Sequence, residues 1–174
     1  MVKNSFIEWL SKLDRAAFAT LRRSLAYPLG SYLPANRYVE PFLTSRTRGR
    51  TRRVYYLTAG LYALHQNHSE TGENLGHALG RFCARNPARQ RGLERRFIIL
   101  LQRDDYQFSY YLSAILKALK DVPINWETLH KDLLSWHHHR RYTQAKWSRA
   151  FYQTFAQEEI TSTGKETGRD NVEK

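Results

Sequence analysis

The sequence predicts an all-α fold, a bundle of about eight or nine helices in one body or two small lobes, followed by a disordered C-terminal tail. Three observations predict it. Valine and isoleucine are scarce, while leucine, alanine, arginine and tyrosine are abundant. Apolar residues recur every three or four positions, and the period-two alternation of strands is hard to find. Breaker segments such as Tyr27-Pro28-Leu29-Gly30 and Asp121-Val122-Pro123 separate the periodic stretches.

Phe6, Trp9, Leu10 and Leu13 define a first helix, capped by Asn4 or Ser5. Phe18, Leu21 and Leu25 continue the pattern, with Arg22 and Arg23 alongside. A short helix is expected from Pro34 to about Val39, with Pro41 ending or kinking it. The polar, arginine-rich loop from Thr44 to Arg50 leads into a helix carrying Val54, Leu57, Leu61 and Leu64. Leu75, Leu79 and Phe82 mark the next helix, and Leu93, Phe97, Leu100 and Leu101 another. Phe108, Tyr111, Leu112, Ile115 and Leu119 follow in the same phase. Trp126, Leu129, Leu133 and Trp136 predict a helix capped near Asn125, and Trp147, Phe151 and Phe155 a last one. From Gln157 onward no apolar period survives. The expected division is therefore a helical domain over 1–156 and a disordered tail over 157–174.

At 174 residues, 41% of them hydrophobic and 25% charged, the chain has the composition of an ordinary globular domain with a real core. Its net charge is +12, and the acidic tail opposes that excess, so the body is more basic still. Such unbalanced charge is relieved by a polyanionic partner. Of the 28 basic residues, 20 are arginine. Guanidinium is planar, weakly hydrated and able to grip phosphate oxygens in pairs, which lysine cannot do. The single cysteine, Cys83, excludes an intramolecular disulfide and reads as a small buried hydrophobe in a reducing compartment. No apolar run reaches the length needed to span a bilayer, and Glu8 interrupts the first apolar stretch. The expected setting is the cytoplasm, with no membrane partner.

The arginines cluster in 46–53, 81–103 and 140–149. At 100° per residue, Leu93, Phe97, Leu100 and Leu101 fall on one face of their helix, while Arg91, Arg95, Arg96 and Arg103 fall on the other. Ile99 lies amid these arginines, and an exposed isoleucine there suggests a surface covered by a protein partner. Gly72, Gly76 and Gly80 recur every four residues, which fits close helix–helix packing better than phosphate approach. The tryptophans sit at core-phase positions, so most aromatics read as packing. The run His137-His138-His139, placed on a helix, cannot converge on one metal ion. No phosphate-cradling loop, carboxylate pair or nucleophile motif is present. No catalytic residue, metal site or cofactor is expected.

The order and spacing of several short segments carry a resemblance. They are Leu75-Gly76-His77-Ala78-Leu79, Glu94-Arg95-Arg96-Phe97 with Leu100-Leu101 and Asp104, Val122-Pro123-Ile124-Asn125-Trp126, Leu133-Leu134-Ser135-Trp136, and Trp147-Ser148-Arg149-Ala150-Phe151-Tyr152. In these the chain resembles the CasB family, the small subunit of the type I-E CRISPR surveillance complex called Cascade, over about Phe6 to Phe155. The resemblance implies an all-helical, basic, non-catalytic subunit, present as two copies packed head-to-tail beside other Cascade subunits. It implies a hold on the crRNA–target DNA duplex and the displaced non-target strand, which stabilises the R-loop in antiviral defence. Guide pairing reads the sequence in such systems, so backbone contacts suffice. Carried onto matching positions, the nucleic-acid-binding candidates are Arg22, Arg23, Arg52, Arg53, Arg95, Arg96, Arg103, Arg140, Arg141 and Lys146. Arg96 or Arg103 is alternatively a structural partner of Asp104. A stand-alone DNA-binding regulator of the helix-turn-helix kind, and a scaffold for acidic protein surfaces, are the competing readings.

Overall fold

Long apolar stretches without charge make a helix that must be buried all round, and residues 54–63 are such a stretch. The computed structural model describes residues 5–167 and places that stretch at its centre. Nine α-helices are formed among the described residues: α1 (Phe6–Ser11), α2 (Arg15–Ser24), α3 (Asn36–Val39), α4 (Gly49–Leu64), α5 (Leu75–Arg85), α6 (Pro87–Gln102), α7 (Gln107–Ala118), α8 (Trp126–Leu134) and α9 (Tyr142–Thr167). Single 3-10 turns flank α3 at Leu33–Ala35 and Glu40–Phe42, each with a proline in its first turn. No strand forms among the described residues; His68 and Ile124 make one isolated parallel bridge between two loops. None of these helices is long and apolar enough to cross a membrane.

The predicted caps form. Ser5 accepts from the Glu8 amide, and Asn125 accepts from the Thr128 amide. Asp14 caps α2 in the same way, and Asn74 with His77 makes a reciprocal capping box at the start of α5. Helix α4 packs on α2, α3, α7 and α8, while α5 packs on α6 and α9 and α6 continues onto α7. A single continuous core joins both groups. Trp126, Trp136 and Trp147 are its largest fully buried side chains. Trp9 is half-buried instead, and its indole donates to the Tyr38 carbonyl at 3.1 Å. Cys83 is buried, and burial pushes its thiol up to about 11, so it stays protonated near neutrality.

Two of the three spaced glycines form the α5–α9 seam. A Cβ on Gly76 would lie 2.2 Å from the Trp147 carbonyl oxygen, and one on Gly80 would lie 2.6 Å from that of Phe151. Only a missing side chain lets the two backbones approach so closely. Gly72 precedes the helix and has nothing within 4 Å, so it takes no part in the seam.

Three further expectations are adjusted. Helix α4 begins at Gly49, so Arg50, Arg52 and Arg53 stand on its first turns rather than in or just after a loop. Helix α8 ends at Leu134, which leaves His137–His139 in a turn and not on a helix. Helix α9 runs past Gln157 to Thr167, and the Arg85 guanidinium meets the Glu158 carboxylate at 3.0 Å, a tertiary anchor beyond the end of the apolar pattern. The remainder of the expected tail, 168–174, lies outside the described residues.

Candidate nucleic-acid interface

A guanidinium is available to phosphate only when no acid of its own chain holds it, so the ion pairs sort the ten candidates. Arg52 pairs with Glu40, donating at 3.0 Å, and its guanidinium lies 5.6 Å from the Tyr56 ring centroid. The same carboxylate takes the Tyr56 hydroxyl, whose pKa is raised by burial and then by Glu40. Arg103 pairs with Asp105 at 3.0 Å. Arg141 pairs with Asp104 at 3.0 Å and reaches the Leu101 carbonyl in the last turn of α6. The partner of Asp104 is therefore Arg141, and neither Arg96 nor Arg103. Lys146 lies 3.5 Å from Asp132, a buried carboxylate that also accepts from the Trp147 indole at 2.6 Å.

The other candidates are freer. Arg22 donates to the Ala63 carbonyl at 3.3 Å, within the last turn of α4, and Arg140 donates to the Tyr142 hydroxyl at 3.2 Å. Arg23, Arg53, Arg95 and Arg96 are exposed and make no ion pair among the described residues. On α6, Arg91 joins Arg95 and Arg96 to form an open guanidinium strip. Glu94, the acid that interrupts it, is occupied by the Tyr152 hydroxyl at 3.0 Å. The exposed isoleucine of this helix is Ile98, 41% exposed, and Ile99 is half-buried. An idealised helical wheel puts Ile99 among the arginines, but α7 packs beside α6.

The structure gathers a second set of arginines around a groove of about 720 Å³ between the end of α2, the start of α4 and the start of α7. Arg50 and Arg53 line it together with Asp104, Asp105 and Tyr106, the last 86% exposed. His137 lines the groove and sits 3.8 Å from Asp104. Burial and then Arg50 lower the His137 pKa; Asp104 opposes them, and Arg53 and Arg141 add to the lowering. Groups far apart in sequence, at 50–53, 104 and 137–141, thus share one electrostatic neighbourhood. Nothing brings Arg95 and Arg96 into it. Arg50 and Arg91 are not among the ten candidates, and their signal in the sequence is the arginine density around them.

No group of three histidine, cysteine, aspartate or glutamate residues is placed to hold a metal ion among the described residues. His130 is buried and shares a 2.9 Å hydrogen bond with the Thr58 hydroxyl, and burial pushes its pKa down to about 4. It belongs to the core between α4 and α8. His65 is likewise committed, its Nε2 lying 2.9 Å from the Leu119 carbonyl oxygen.

Fold and charge together define a class: a small, basic, all-helical protein whose unpaired guanidinium groups are displayed on a rigid core. A family model described as CRISPR-associated protein Cse2 matches residues 17–152. A CRISPR-associated protein Cse2 from Thermus thermophilus is 38% identical over 160 residues, covering 88% of this chain and 92% of the relative. The crystal structure of M. ruber CasB, 28% identical, aligns over 92% of this chain and 99% of its own, with a TM-score of 0.74. A chain of E. coli Cascade bound to a PAM-containing dsDNA target shares the fold at a TM-score of 0.66, with 21% identity over 87% of this chain and 95% of that one. The chain belongs to the Cse2 (CasB) family of CRISPR-associated proteins.

Proposed function

We propose that this chain is a non-catalytic small subunit of a type I-E Cascade surveillance complex, and that its arginine faces hold nucleic-acid backbone and stabilise the R-loop. The observation that carries the reading is a set of exposed arginines, Arg23, Arg53, Arg95 and Arg96, without acidic partners among the described residues of a Cse2-family chain. Unpaired guanidinium groups on rigid helices suit phosphate contacts, which position a strand without reading it. Exchange of a DNA duplex for a guide–target heteroduplex is nearly balanced in free energy, so a few such contacts tip it.

The partners in this reading are crRNA, target DNA, the displaced non-target strand, other Cascade subunits and a second copy of the chain. Arg22 and Arg140 join the four free arginines, while Arg52, Arg103, Arg141 and Lys146 serve mainly as internal braces. The expected compartment is the cytoplasm. Family membership does not favour the stand-alone helix-turn-helix regulator.

The test is R-loop lifetime in a reconstituted complex carrying Arg95→Ala with Arg96→Ala. The lifetime should shorten while the seed-mismatch profile stays unchanged. With about six phosphates engaged, DNA affinity should fall roughly 10³-fold between 50 and 200 mM salt. A mismatch profile altered as much as the affinity would sink the backbone-holding reading.

A further inference from the structure

The turn between α8 and α9 carries a feature that phosphate holding does not use. The imidazole of His138 stacks on that of His139, with centroids 4.5 Å apart and planes at 27°. It also stacks on the Tyr142 ring, at 4.6 Å and 28°. All three residues are exposed, Tyr142 by 53%. Aromatic rings normally stack to escape water, and this ladder stands in it.

The ladder is held in place. The Arg140 amide donates to His138 Nδ1 at 3.2 Å, and the Arg140 guanidinium donates to the Tyr142 hydroxyl at the same distance. Arg141 takes a left-handed backbone conformation, with φ of 51°, and its guanidinium ties the turn to Asp104. A non-glycine residue in that region carries backbone strain, which this ion pair offsets. Arg140 lies within the turn, and three arginines, Arg50, Arg53 and Arg141, set against one carboxylate, Asp104, act on His137, the preceding residue of the run.

Flat, exposed, near-parallel rings beside guanidinium groups match the chemistry of an unpaired nucleotide, whose base offers a π-face and whose phosphate is anionic. A base within a duplex already has both faces stacked and cannot use such a surface. We propose that the His138–His139–Tyr142 ladder is a base-stacking platform that receives an unpaired nucleotide of single-stranded nucleic acid, with Arg140 beside it for the adjoining phosphate. This rests on the nucleic-acid reading above and deepens it, because it adds a preference for single strands that backbone contacts alone do not supply.

The experiment titrates the full chain with a fluorescent single-stranded DNA, the duplex of the same sequence, and an abasic strand of the same length, from 50 to 200 mM salt. The wild-type chain should favour the single strand over the abasic strand. His138→Ala with His139→Ala should weaken single-strand binding about ten-fold, the scale of one lost base–ring contact. Duplex binding and the salt slope should stay unchanged, since no phosphate contact is removed. His139→Phe keeps the ring, loses the titratable nitrogens and should retain wild-type affinity, which separates stacking from charge and from any folding defect. Equal binding of the abasic and normal strands overturns the proposal, as does equal weakening of single-strand and duplex binding by the alanine pair. If the wild-type chain binds none of the three nucleic acids, the nucleic-acid reading itself fails for the free chain, and the platform falls with it.

Discussion

The glycine face of α5, which meets α9, and the outer face of α6 lie in consecutive helices and are built in opposite ways. At the seam, Gly76 and Gly80 let two backbones approach so closely that no side chain fits between them. On α6, Arg91, Arg95 and Arg96 reach into solvent and make no ion pair among the described residues. The difference teaches where each kind of substitution will be felt. A change at the seam alters what the fold can tolerate, whereas a change on the strip alters only what the surface can hold.

The sharpest way to break the comparison is to put a methyl group into the seam. Gly76→Ala should cost about 3 kcal/mol, the upper end of overpacking penalties, because the obstacle is a backbone carbonyl that cannot rotate away. Urea denaturation measures it. Gly72→Ala is the control, with open space around it and an expected change within about 0.5 kcal/mol. Equal losses at the two positions would remove the seam as an explanation.

Acid tests the core between α4 and α8. Burial lowers the His130 pKa to about 4 from its ordinary 6.5, so the folded protein holds the neutral ring while the unfolded chain takes up the proton first. Stability from this group is fully present above pH 6.5 and is lost as pH falls from 6.5 towards 4. The loss should reach about 3 kcal/mol at the bottom of that window. His130→Gln should flatten the dependence of the denaturation midpoint over the same range; an unchanged slope would contradict the assignment.

Asp132→Ala comes next, since it leaves the buried Trp147 indole N–H without its acceptor. A loss of about 2 kcal/mol is expected. Lys146→Ala, on the exposed side of the same carboxylate, should change stability by less than about 1 kcal/mol.

The smallest effect on stability belongs to the strip. Arg95→Ala with Arg96→Ala should leave the denaturation midpoint within about 0.5 kcal/mol of wild type. The slope of log affinity against log salt should fall by about two if both arginines meet phosphates. A strip variant that unfolds would show that these arginines brace the helix.

Local pattern made much of this molecule legible. The caps at Ser5 and Asn125, the breaker before Ile124 and the core phase of Trp126, Trp136 and Trp147 all follow from residues within a turn or two of each other. Adjacent residues with distinct fates were not legible. Arg52 and Arg53 read alike, yet Arg52 turns to Glu40 and Arg53 to the groove. Gly72 repeats the spacing of Gly76 and Gly80, yet it lies before the helix begins. The leucine and tryptophan spacing before them predicts a helix for His137–His139. That helix stops at Leu134, and the run becomes a turn whose rings can stack.

By itself the sequence determined an all-helical, basic protein, because periodicity, capping and composition act over a few residues and need no knowledge of the rest. Its resemblance to the CasB family rests on the order and spacing of short segments from Leu75 onward. Only the tertiary structure decided which arginines are spare. Arg141 finds Asp104, and Arg85 finds Glu158, across 37 and 73 positions of chain. An ion pair forms where two helices happen to meet, and that meeting is fixed by how their apolar faces pack. The charges left over after packing are the ones a polyanion can reach.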